Sequence, residues 1–177
     1  MKKLLTAFLL LSSSAHAQTA ADQARTQAGC GPSNVNFEVT VDKNQRATPP
    51  PAAGKAIVYF VQQDVVDPGI GSPSATLKVG ADGNWVGGTH GKSYLYFEVE
   101  PGDHRVCTNW QSIWPWMSKL GSAITISAEA GKAYYVRARV DQRKEHPNSV
   151  QLELIDGAEG QFAISNSGMS VSHPTAK

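Results

Sequence analysis

The chain has 177 residues, with 16 lysines and arginines against 15 aspartates and glutamates, so its formal net charge at pH 7 is +1. A chain this close to neutral, with no basic patch and no acidic tail, is not expected to bind nucleic acid or an anionic membrane by charge attraction. Its length is enough for one domain with a hydrophobic core.

The N-terminal residues have the three-part pattern of a secretory signal peptide. Lys2 and Lys3 precede an apolar run at residues 4–11, and Ala15-His16-Ala17 supplies the small residues of a signal-peptidase site. The apolar run is far shorter than the roughly 20 residues that span a bilayer. The sequence therefore predicts cleavage after Ala17 and a periplasmic or secreted protein with no transmembrane segment after signal removal.

The two cysteines of the chain are Cys30 and Cys107. In an exported protein an even cysteine count favours a disulfide, so we expect a Cys30–Cys107 bond, with two buried thiols as the alternative. A further alternative is acylation of Cys30, because the preceding residues faintly resemble a lipoprotein processing site. Gln27 stands where that site has an aliphatic residue, and Cys30 lies well beyond the apolar run, so the sequence argues against a lipoprotein.

Beyond Cys30 the chain is dominated by short segments with the alternating pattern of half-buried β-strands. The apolar run at residues 56–61 is instead typical of a central strand that is covered on both faces. Asp82-Gly83 predicts a tight hairpin, because such a turn needs residues that tolerate positive φ. The expected strands lie near residues 35–41, 56–61, 75–79, 85–88, 94–99, 104–110, 124–126, 134–140 and 150–154.

About nine short strands separated by turn signals have the spacing of a β-sandwich. We therefore predict an all-β fold, a single antiparallel β-sandwich of the immunoglobulin-like or prealbumin-like kind. A short C-terminal helix, capped by Asp156, is expected within residues 158–164. The predicted division is a signal peptide at 1–17, an N-terminal lead with the first strand and a Pro-rich linker at 18–53, the sandwich domain at 54–165, and a disordered tail at 166–177.

Four segments, taken in order and with their spacing, point to a family resemblance. They are Gly54-Lys55-Ala56-Ile57-Val58-Tyr59-Phe60, Val79-Gly80-Ala81-Asp82-Gly83-Asn84-Trp85-Val86-Gly87, Ser93-Tyr94 and Pro101-Gly102-Asp103-His104. Together they resemble the DUF2846 family of small exported bacterial β-domains of unknown function, over residues 54–155. The resemblance implies a β-sandwich-like fold and supplies no catalytic residues. Members of that family are often lipoproteins, and this chain departs from them by lacking a proper acylation site.

The candidate binding residues are aromatic. They are Trp114, Trp116, Tyr94 and Tyr96. Both tryptophans fall in residues 111–121, which have no strand or helix period, and exposed aromatic side chains stack on sugar rings and anchor protein interfaces. The alternative is packing, in which the two tryptophans cap the end of the sandwich. For Trp85 and Trp110 we expect positions in the core.

No combination of side chains in the sequence predicts catalysis. Residues 87–93 end like a phosphate-binding loop, but Val86 stands at the first glycine of that motif and a strand is expected after Ser93. His90 and His104 are not joined by a third metal ligand at a recognisable spacing. We therefore expect no catalytic residue, no metal and no cofactor.

These observations favour a non-enzymatic exported module that binds a protein or another component of the cell envelope. A saccharide-binding domain that uses the same exposed aromatics is the first alternative. A metal-dependent hydrolase is the second, and it would need His90, His104 and a carboxylate to converge. The expected partner is an envelope protein or a glycan, and nucleic acid is not expected.

Overall fold

The structure is a computed structural model that describes residues 30–67 and 74–176. The predicted signal peptide and the polar lead up to Gly29 lie outside the described residues, as do residues 68–73 of the loop that follows the predicted central strand. In the part of the chain that is described, no helix has the length and apolar character needed to cross a membrane.

Ten strands, one α-helix and one short 3-10 helix make up the described chain. The strands are β1 (Val35–Asp42), β2 (Ala56–Val65), β3 (Thr76–Ala81), β4 (Asn84–His90), β5 (Ser93–Val99), β6 (Gly102–Gln111), β7 (Gly121–Ala128), β8 (Ala133–Asp141), β9 (Ser149–Ile155) and β10 (Gly168–Ala176). The helix α1 (Gly157–Ser165) lies between β9 and β10, and the 3-10 helix is Met117–Lys119. The prediction of an all-β sandwich with a short C-terminal helix is confirmed.

The strands form two sheets that pack together. The four-stranded sheet has the order β4-β3-β6-β7 and is antiparallel throughout. The six-stranded sheet has the order β1-β10-β5-β2-β8-β9, with β2 parallel to β8 and β10 parallel to β5. The sandwich is therefore antiparallel only in its majority, and β2 occupies the central position that its apolar run predicted. The β3–β4 hairpin turns at Asp82 (φ 51°) and Gly83 (φ 84°), as a primed turn requires.

The main core fills the space between the two sheets. Val58 and Phe60 of β2 point into it from the six-stranded sheet, and Leu77 and Val79 of β3 meet them from the four-stranded sheet. Trp110 at the end of β6 is also buried in this core, as predicted. Alternate residues of β2 point the other way, because successive side chains of a strand lie on opposite faces.

A second core lies on the outer face of the six-stranded sheet, beneath α1. Its aromatic side chains, called here the tyrosine face, are Tyr59, Tyr94, Tyr96 and Tyr135. The α1 helix begins after Asp156, whose side chain accepts a hydrogen bond from the Glu159 backbone amide, which confirms the predicted cap. Gly160 allows the helix to lie directly on Tyr135, since a Cβ at this position would be 2.2 Å from the ring.

The Pro-rich segment at residues 43–54 covers another part of the tyrosine face. The Tyr94 hydroxyl donates to the Ala47 carbonyl at 2.9 Å, and the Tyr59 hydroxyl donates to the Pro49 carbonyl at 2.6 Å. Burial, followed by the neighbouring ring of Tyr135, raises the pKa of Tyr59 to about 12. The segment has no regular secondary structure, yet its carbonyl groups satisfy buried phenols and hold it to the sheet.

The C-terminal residues correct the sequence prediction. Residues 166–177 were expected to form a disordered tail, but β10 lies between β1 and β5 and pairs with both. Two of its serines bond to neighbouring strands: the buried Ser170 donates to Ser93 at 2.7 Å, and the half-buried Ser172 accepts from the Gly88 backbone amide at 2.9 Å. The sandwich therefore extends beyond the predicted 54–165 at both ends, because β1 and β10 belong to its larger sheet.

The two glycines of β4 let the two sheets approach closely along one side. The sequence suggested that Gly87-Gly88 ends this strand, but β4 continues to His90. A Cβ on Gly88 would lie 2.9 Å from Val39 of β1, so only glycine allows β1 to pack there. The two glycines thus serve the contact between β4 and the β1–β10 pair rather than the end of the strand.

A disulfide joins Cys30 to Cys107 of β6, with a sequence separation of 77 residues and Cα atoms 5.2 Å apart. It holds the first described residues against the outer face of the four-stranded sheet. There the Trp85 indole donates to the Pro32 carbonyl at 2.7 Å, and the Lys78 ammonium lies 4.5 Å from the centre of the ring. Trp85 is therefore half-buried on an outer face, and the expectation that it lies in the core is wrong.

Candidate functional site: the tryptophan loop

The connection between β6 and β7, residues 112–120, carries two of the predicted binding residues and is called here the tryptophan loop. The Trp114 backbone amide donates to Ser112 Oγ at 3.1 Å, and the Met117 amide donates to the Trp114 carbonyl at 3.1 Å. Ser118 Oγ donates to the Pro115 carbonyl at 3.0 Å. These local bonds hold the backbone of the loop around its short 3-10 helix, so the loop backbone is ordered before any ligand arrives.

The tip of the tryptophan loop is apolar and exposed. Ile113 is 90% exposed, Trp116 61% and Trp114 52%. The two indole rings stack on each other, with centroids 5.0 Å apart and planes inclined by 30°. Each ring therefore has one face against the other ring, and a large part of its remaining surface meets solvent. Of the two roles considered for this pair, exposure on a loop is the one that the structure adopts.

A cleft of about 280 Å³ lies beside the tryptophan loop. Its apolar part lies where the loop meets the end of the main core and consists of Trp110, Ile113, Trp114 and Met117. Uncharged polar side chains form the rest of the lining, and they are Ser74, Thr76, Gln111, Ser112 and Gln142. An apolar wall beside a few polar groups is the usual composition of a small-molecule site.

Several polar groups of the cleft are held by neighbours. The Gln111 side chain accepts from the Phe37 amide at 2.7 Å and donates to the Phe37 carbonyl at 2.8 Å, which ties the loop base to β1. Thr76 Oγ1 lies 2.9 Å from His90 Nδ1. These pairings orient the lining side chains, so their remaining hydrogen-bonding positions have fixed directions.

Gln142 differs from these neighbours. Its side-chain Nε2 is shielded from solvent and makes no hydrogen bond to any residue that the structure describes. Its backbone amide donates to the Val65 carbonyl at 2.9 Å, which fixes the residue at the end of β2. Because an unpaired buried donor costs about 1–3 kcal/mol, such a group in a folded protein calls for a reason.

The other two predicted binding residues do not join the tryptophan loop. Tyr94 and Tyr96 belong to the tyrosine face, on the outer side of the six-stranded sheet. Tyr94 is fully buried, with its hydroxyl bonded to Ala47, and Tyr96 is partly buried and packs near Tyr59 at a centroid distance of 5.8 Å. Both pairs were predicted as candidate binding residues, and the sequence carries no signal that the Pro-rich segment and α1 would cover one of them.

A second cleft, of about 510 Å³, opens between the Pro-rich segment, α1 and the tyrosine face. Tyr59 and Tyr135 stack at its floor with centroids 5.2 Å apart, and the Arg46 side chain lies at its rim. Arg46 Nε donates to the Ser165 carbonyl at 3.1 Å, so it links the Pro-rich segment to the end of α1. The floor residues are almost fully buried, and this cleft therefore presents less aromatic surface than the tryptophan loop does.

The two histidines considered as metal ligands lie at opposite ends of the four-stranded sheet. His90 pairs with Thr76 near the tryptophan loop, whereas His104 lies beside the β3–β4 turn. His104 Nδ1 is 2.6 Å from Asp82 and Nε2 is 2.7 Å from the Glu100 carbonyl. Burial lowers the pKa of His104, but these two hydrogen bonds outweigh it and leave that pKa raised. Within residues 30–67 and 74–176, no three His, Cys, Asp or Glu side chains are grouped as metal ligands.

The segment that ends like a phosphate-binding loop connects the two sheets. Gly91 turns the chain with φ 60°, and Ser93 Oγ accepts from the His90 amide at 3.1 Å at the start of β5. A strand follows Ser93, as predicted, so no helix N-terminus is present to bind a phosphate.

Comparison with known families gives a match over the sandwich. The family model described as "Protein of unknown function (DUF2846)" matches residues 52–151, which is more than half of the chain. The resemblance inferred from the sequence is thereby confirmed. Comparisons with curated proteins and with solved structures give no match.

Proposed function

Because the chain belongs to the DUF2846 family, whose function is unknown, we propose a function from the site alone: an exported, non-enzymatic β-sandwich module that binds a protein or another component of the cell envelope. The tryptophan loop is its contact surface. The observation that carries the proposal is the stacked pair of Trp114 and Trp116, both more than half exposed on a loop fixed by its own hydrogen bonds.

The exposed side chains of the tryptophan loop are large enough to contribute much of a binding free energy. A tryptophan buries about 150–250 Å² in a contact, and Trp is enriched among the residues that dominate binding energies. Exposed apolar surface on an ordered loop gains free energy when a partner removes it from water. Since the local hydrogen bonds already order the loop, little conformational entropy opposes binding.

Export is supported by two independent features. The N-terminal residues have the pattern of a signal peptide, and the Cys30–Cys107 disulfide is typical of proteins that fold in an oxidising compartment. A periplasmic or secreted location is consistent with both.

A non-enzymatic role is supported by the partners of the ionisable side chains. Glu98 accepts from the Ala52 amide at 2.8 Å, and Glu100 lies 3.2 Å from Lys55. Arg137 pairs with Glu153 at 2.6 Å and with Glu159. These charged groups link strands, turns and α1 to one another, so we assign them to the stability of the fold rather than to catalysis.

The test is a capture experiment in which the full chain is the bait and an envelope extract of its native host supplies the possible partners. Immobilised wild-type protein is compared with the Trp114→Ala/Trp116→Ala variant, and Phe162→Ala is the control, because Phe162 is 72% exposed on α1 far along the chain from the loop. We expect a recurrent protein or glycan to be captured by the wild type and the control and to be lost with the double variant. Equal capture by all three proteins, or no capture by any, would contradict the proposal.

A further inference from the structure

We infer that the cleft beside the tryptophan loop binds a neutral saccharide, with a sugar ring against Trp114, which Trp116 supports by stacking, and a hydroxyl oxygen accepting from Gln142 Nε2. This inference rests on the proposed function, because it names the class of ligand for the same surface. It adds Gln142 and the cleft lining to Trp114 and Trp116, two of the four candidate binding residues that the sequence singled out.

The chemistry of the lining favours a saccharide. One face of a pyranose ring presents C–H groups, which pack on an aromatic ring, and its edge presents hydroxyl groups that both donate and accept hydrogen bonds. The cleft offers the same division, with indole surface on the loop and the amides and hydroxyls of Thr76, Gln111, Ser112 and Gln142 beside it.

The absence of charge from the lining argues for a neutral ligand. Among the described residues that line the cleft, none is acidic or basic. A charged sugar or an anionic polymer would gain nothing there from ion pairing, and it would lose hydration on entering. Hydroxyl groups, by contrast, exchange their bonds to water for bonds to amides at little cost.

Gln142 is the observation that singles out a ligand with acceptor groups. Gln142 lines the cleft, and its Nε2 is shielded from solvent and has no partner among the described residues, while Gln111 and Thr76 are already paired. Rotation of the Gln142 side chain would bring this donor to an oxygen atom seated in the cleft, whereas an apolar protein side chain would leave it unpaired. An unpaired hydrogen-bond donor beside an exposed indole ring therefore fits a sugar better than it fits an apolar side chain of a protein partner.

The size of the site leads to the same conclusion. The cleft volume of about 280 Å³ is close to the lower limit of roughly 300 Å³ for small-ligand sites. A stable protein interface needs about 800 Å² from each partner, so a protein bound at the loop would also have to cover surface beyond the cleft. One or two sugar units match the dimensions of the cleft and the stacked indoles.

The test uses defined neutral hexasaccharides and the full chain with its disulfide intact. The probes are cellohexaose, chitohexaose, maltohexaose and laminarihexaose, and binding is followed by calorimetry and by tryptophan fluorescence. We expect at least one probe to bind the wild type and the Phe162→Ala control equally, and to bind Trp114→Ala/Trp116→Ala at least about tenfold more weakly.

Gln142→Met separates a ligand contact from a structural role. Methionine keeps the length of the side chain and removes the unpaired donor, so the free protein should be as stable as the wild type or more stable. Saccharide affinity should nevertheless fall at least about fivefold. A variant that loses stability and keeps its affinity would overturn the assignment of Gln142 and, with it, the inference.

The outcomes distinguish this inference from the proposed function. If no hexasaccharide binds, and the envelope capture yields a protein that depends on Trp114 and Trp116, the saccharide inference is overturned and the binding module stands. If neither sugars nor captured proteins depend on the two tryptophans, both are overturned. Sugar binding that is insensitive to the tryptophan pair and to Gln142 also overturns the inference, because it places the sugar elsewhere.

Discussion

The tyrosine face and the tryptophan loop are both aromatic clusters with stacked rings, yet one is covered and the other is not. Tyr59 and Tyr94 are buried beneath α1 and the Pro-rich segment, and backbone carbonyls accept from their hydroxyl groups. Trp114 and Trp116 stack on each other and remain more than half exposed. The comparison shows that aromatic content alone does not mark a binding surface, because the chain can supply its own cover.

The covering segments explain the difference. The tyrosine face lies on the outer side of a regular sheet, where residues 43–54 and α1 pack over its rings. The tryptophan loop extends beyond the end of the four-stranded sheet, and its tip is in contact with solvent in the part of the chain that is described. Substitutions in the two clusters should therefore affect different properties, stability in the first and binding in the second.

The largest expected effect is the loss of stability in Tyr94→Ala. Removal of a fully buried aromatic ring leaves a cavity and should lower the free energy of unfolding by roughly 3–5 kcal/mol. Trp114→Ala/Trp116→Ala, which removes two larger but exposed rings, should change it by less than about 0.5 kcal/mol. Urea unfolding followed by far-ultraviolet circular dichroism measures both. A comparable loss in the double variant would mean that the tryptophan loop is part of the core.

Removal of the disulfide should have the next largest effect. The exposure of Trp85 is intermediate between those of the two clusters, because the segment that the disulfide holds at Cys30 partly covers its ring. Cys30→Ser/Cys107→Ser releases a closed loop of 77 residues and should cost about 2–4 kcal/mol. Urea unfolding of the oxidised wild type, the reduced wild type and the double variant provides the comparison. We expect the last two to coincide below the first, and three superimposable curves would contradict a stabilising bond.

A smaller effect is expected from Tyr59→Phe, which removes only the hydroxyl group that donates to Pro49. The lost hydrogen bond should lower the free energy of unfolding by about 1 kcal/mol, or roughly 2–4 °C in Tm. Tyr96→Phe is the matched control on the next strand, because the hydrogen bonds of the described residues do not include its hydroxyl. Calorimetry of both variants would show whether the Pro-rich segment is held by this bond. Equal Tm values for the two would argue that it is not.

Much of the fold could be predicted from the sequence because local patterns determine it. The apolar run of β2, the Asp82-Gly83 turn and the Asp156 cap each depend on a few neighbouring residues, and each appears where predicted. The cysteine pair was predictable from its number and context rather than from any contact.

The missed features depend on contacts between distant residues. The β10 strand is polar, and Ser170 and Ser172 are accommodated by partners at Ser93 and Gly88, so hydrophobic periodicity gives no sign of it. The parallel pairing of β2 with β8 likewise joins strands that are far apart in the chain. Gly88 looked like a strand end, but it is required by the approach of Val39.

The candidate site was predictable only in part. Trp114 and Trp116 were distinguishable because they lie beside Pro115 in a segment without a regular period. Gln142 carries no sequence signal, since it is one polar residue in a charged turn, and only the structure places it at the cleft beside the tryptophans. Tyr94 was included wrongly because the sequence does not show that the Pro-rich segment and α1 cover the outer face of the sheet on which it lies.

The smallest expected effect concerns pH and compares the two ends of the four-stranded sheet. At the hairpin end, hydrogen bonds to Asp82 and to the Glu100 carbonyl raise the pKa of His104 above its usual value. A group whose pKa is raised by folding stabilises the protein below its unfolded pKa, and this contribution is lost as pH rises through the folded value. Since Asp82 is partly exposed, the contribution should be only about 0.5 kcal/mol.

We therefore expect Tm to fall by roughly 1–2 °C between pH 6 and pH 8.5 through His104 alone. Asp82→Asn keeps a residue suited to positive φ at the turn and a carbonyl oxygen for the Arg105 amide, so it should reduce this slope without unfolding the hairpin. Saccharide affinity should be the same in the wild type and in Asp82→Asn at each pH, because the cleft lies at the opposite end of the sheet from His104. An affinity that Asp82→Asn changes would mean that the two ends are coupled, and the saccharide site would then not be separate from the hairpin end.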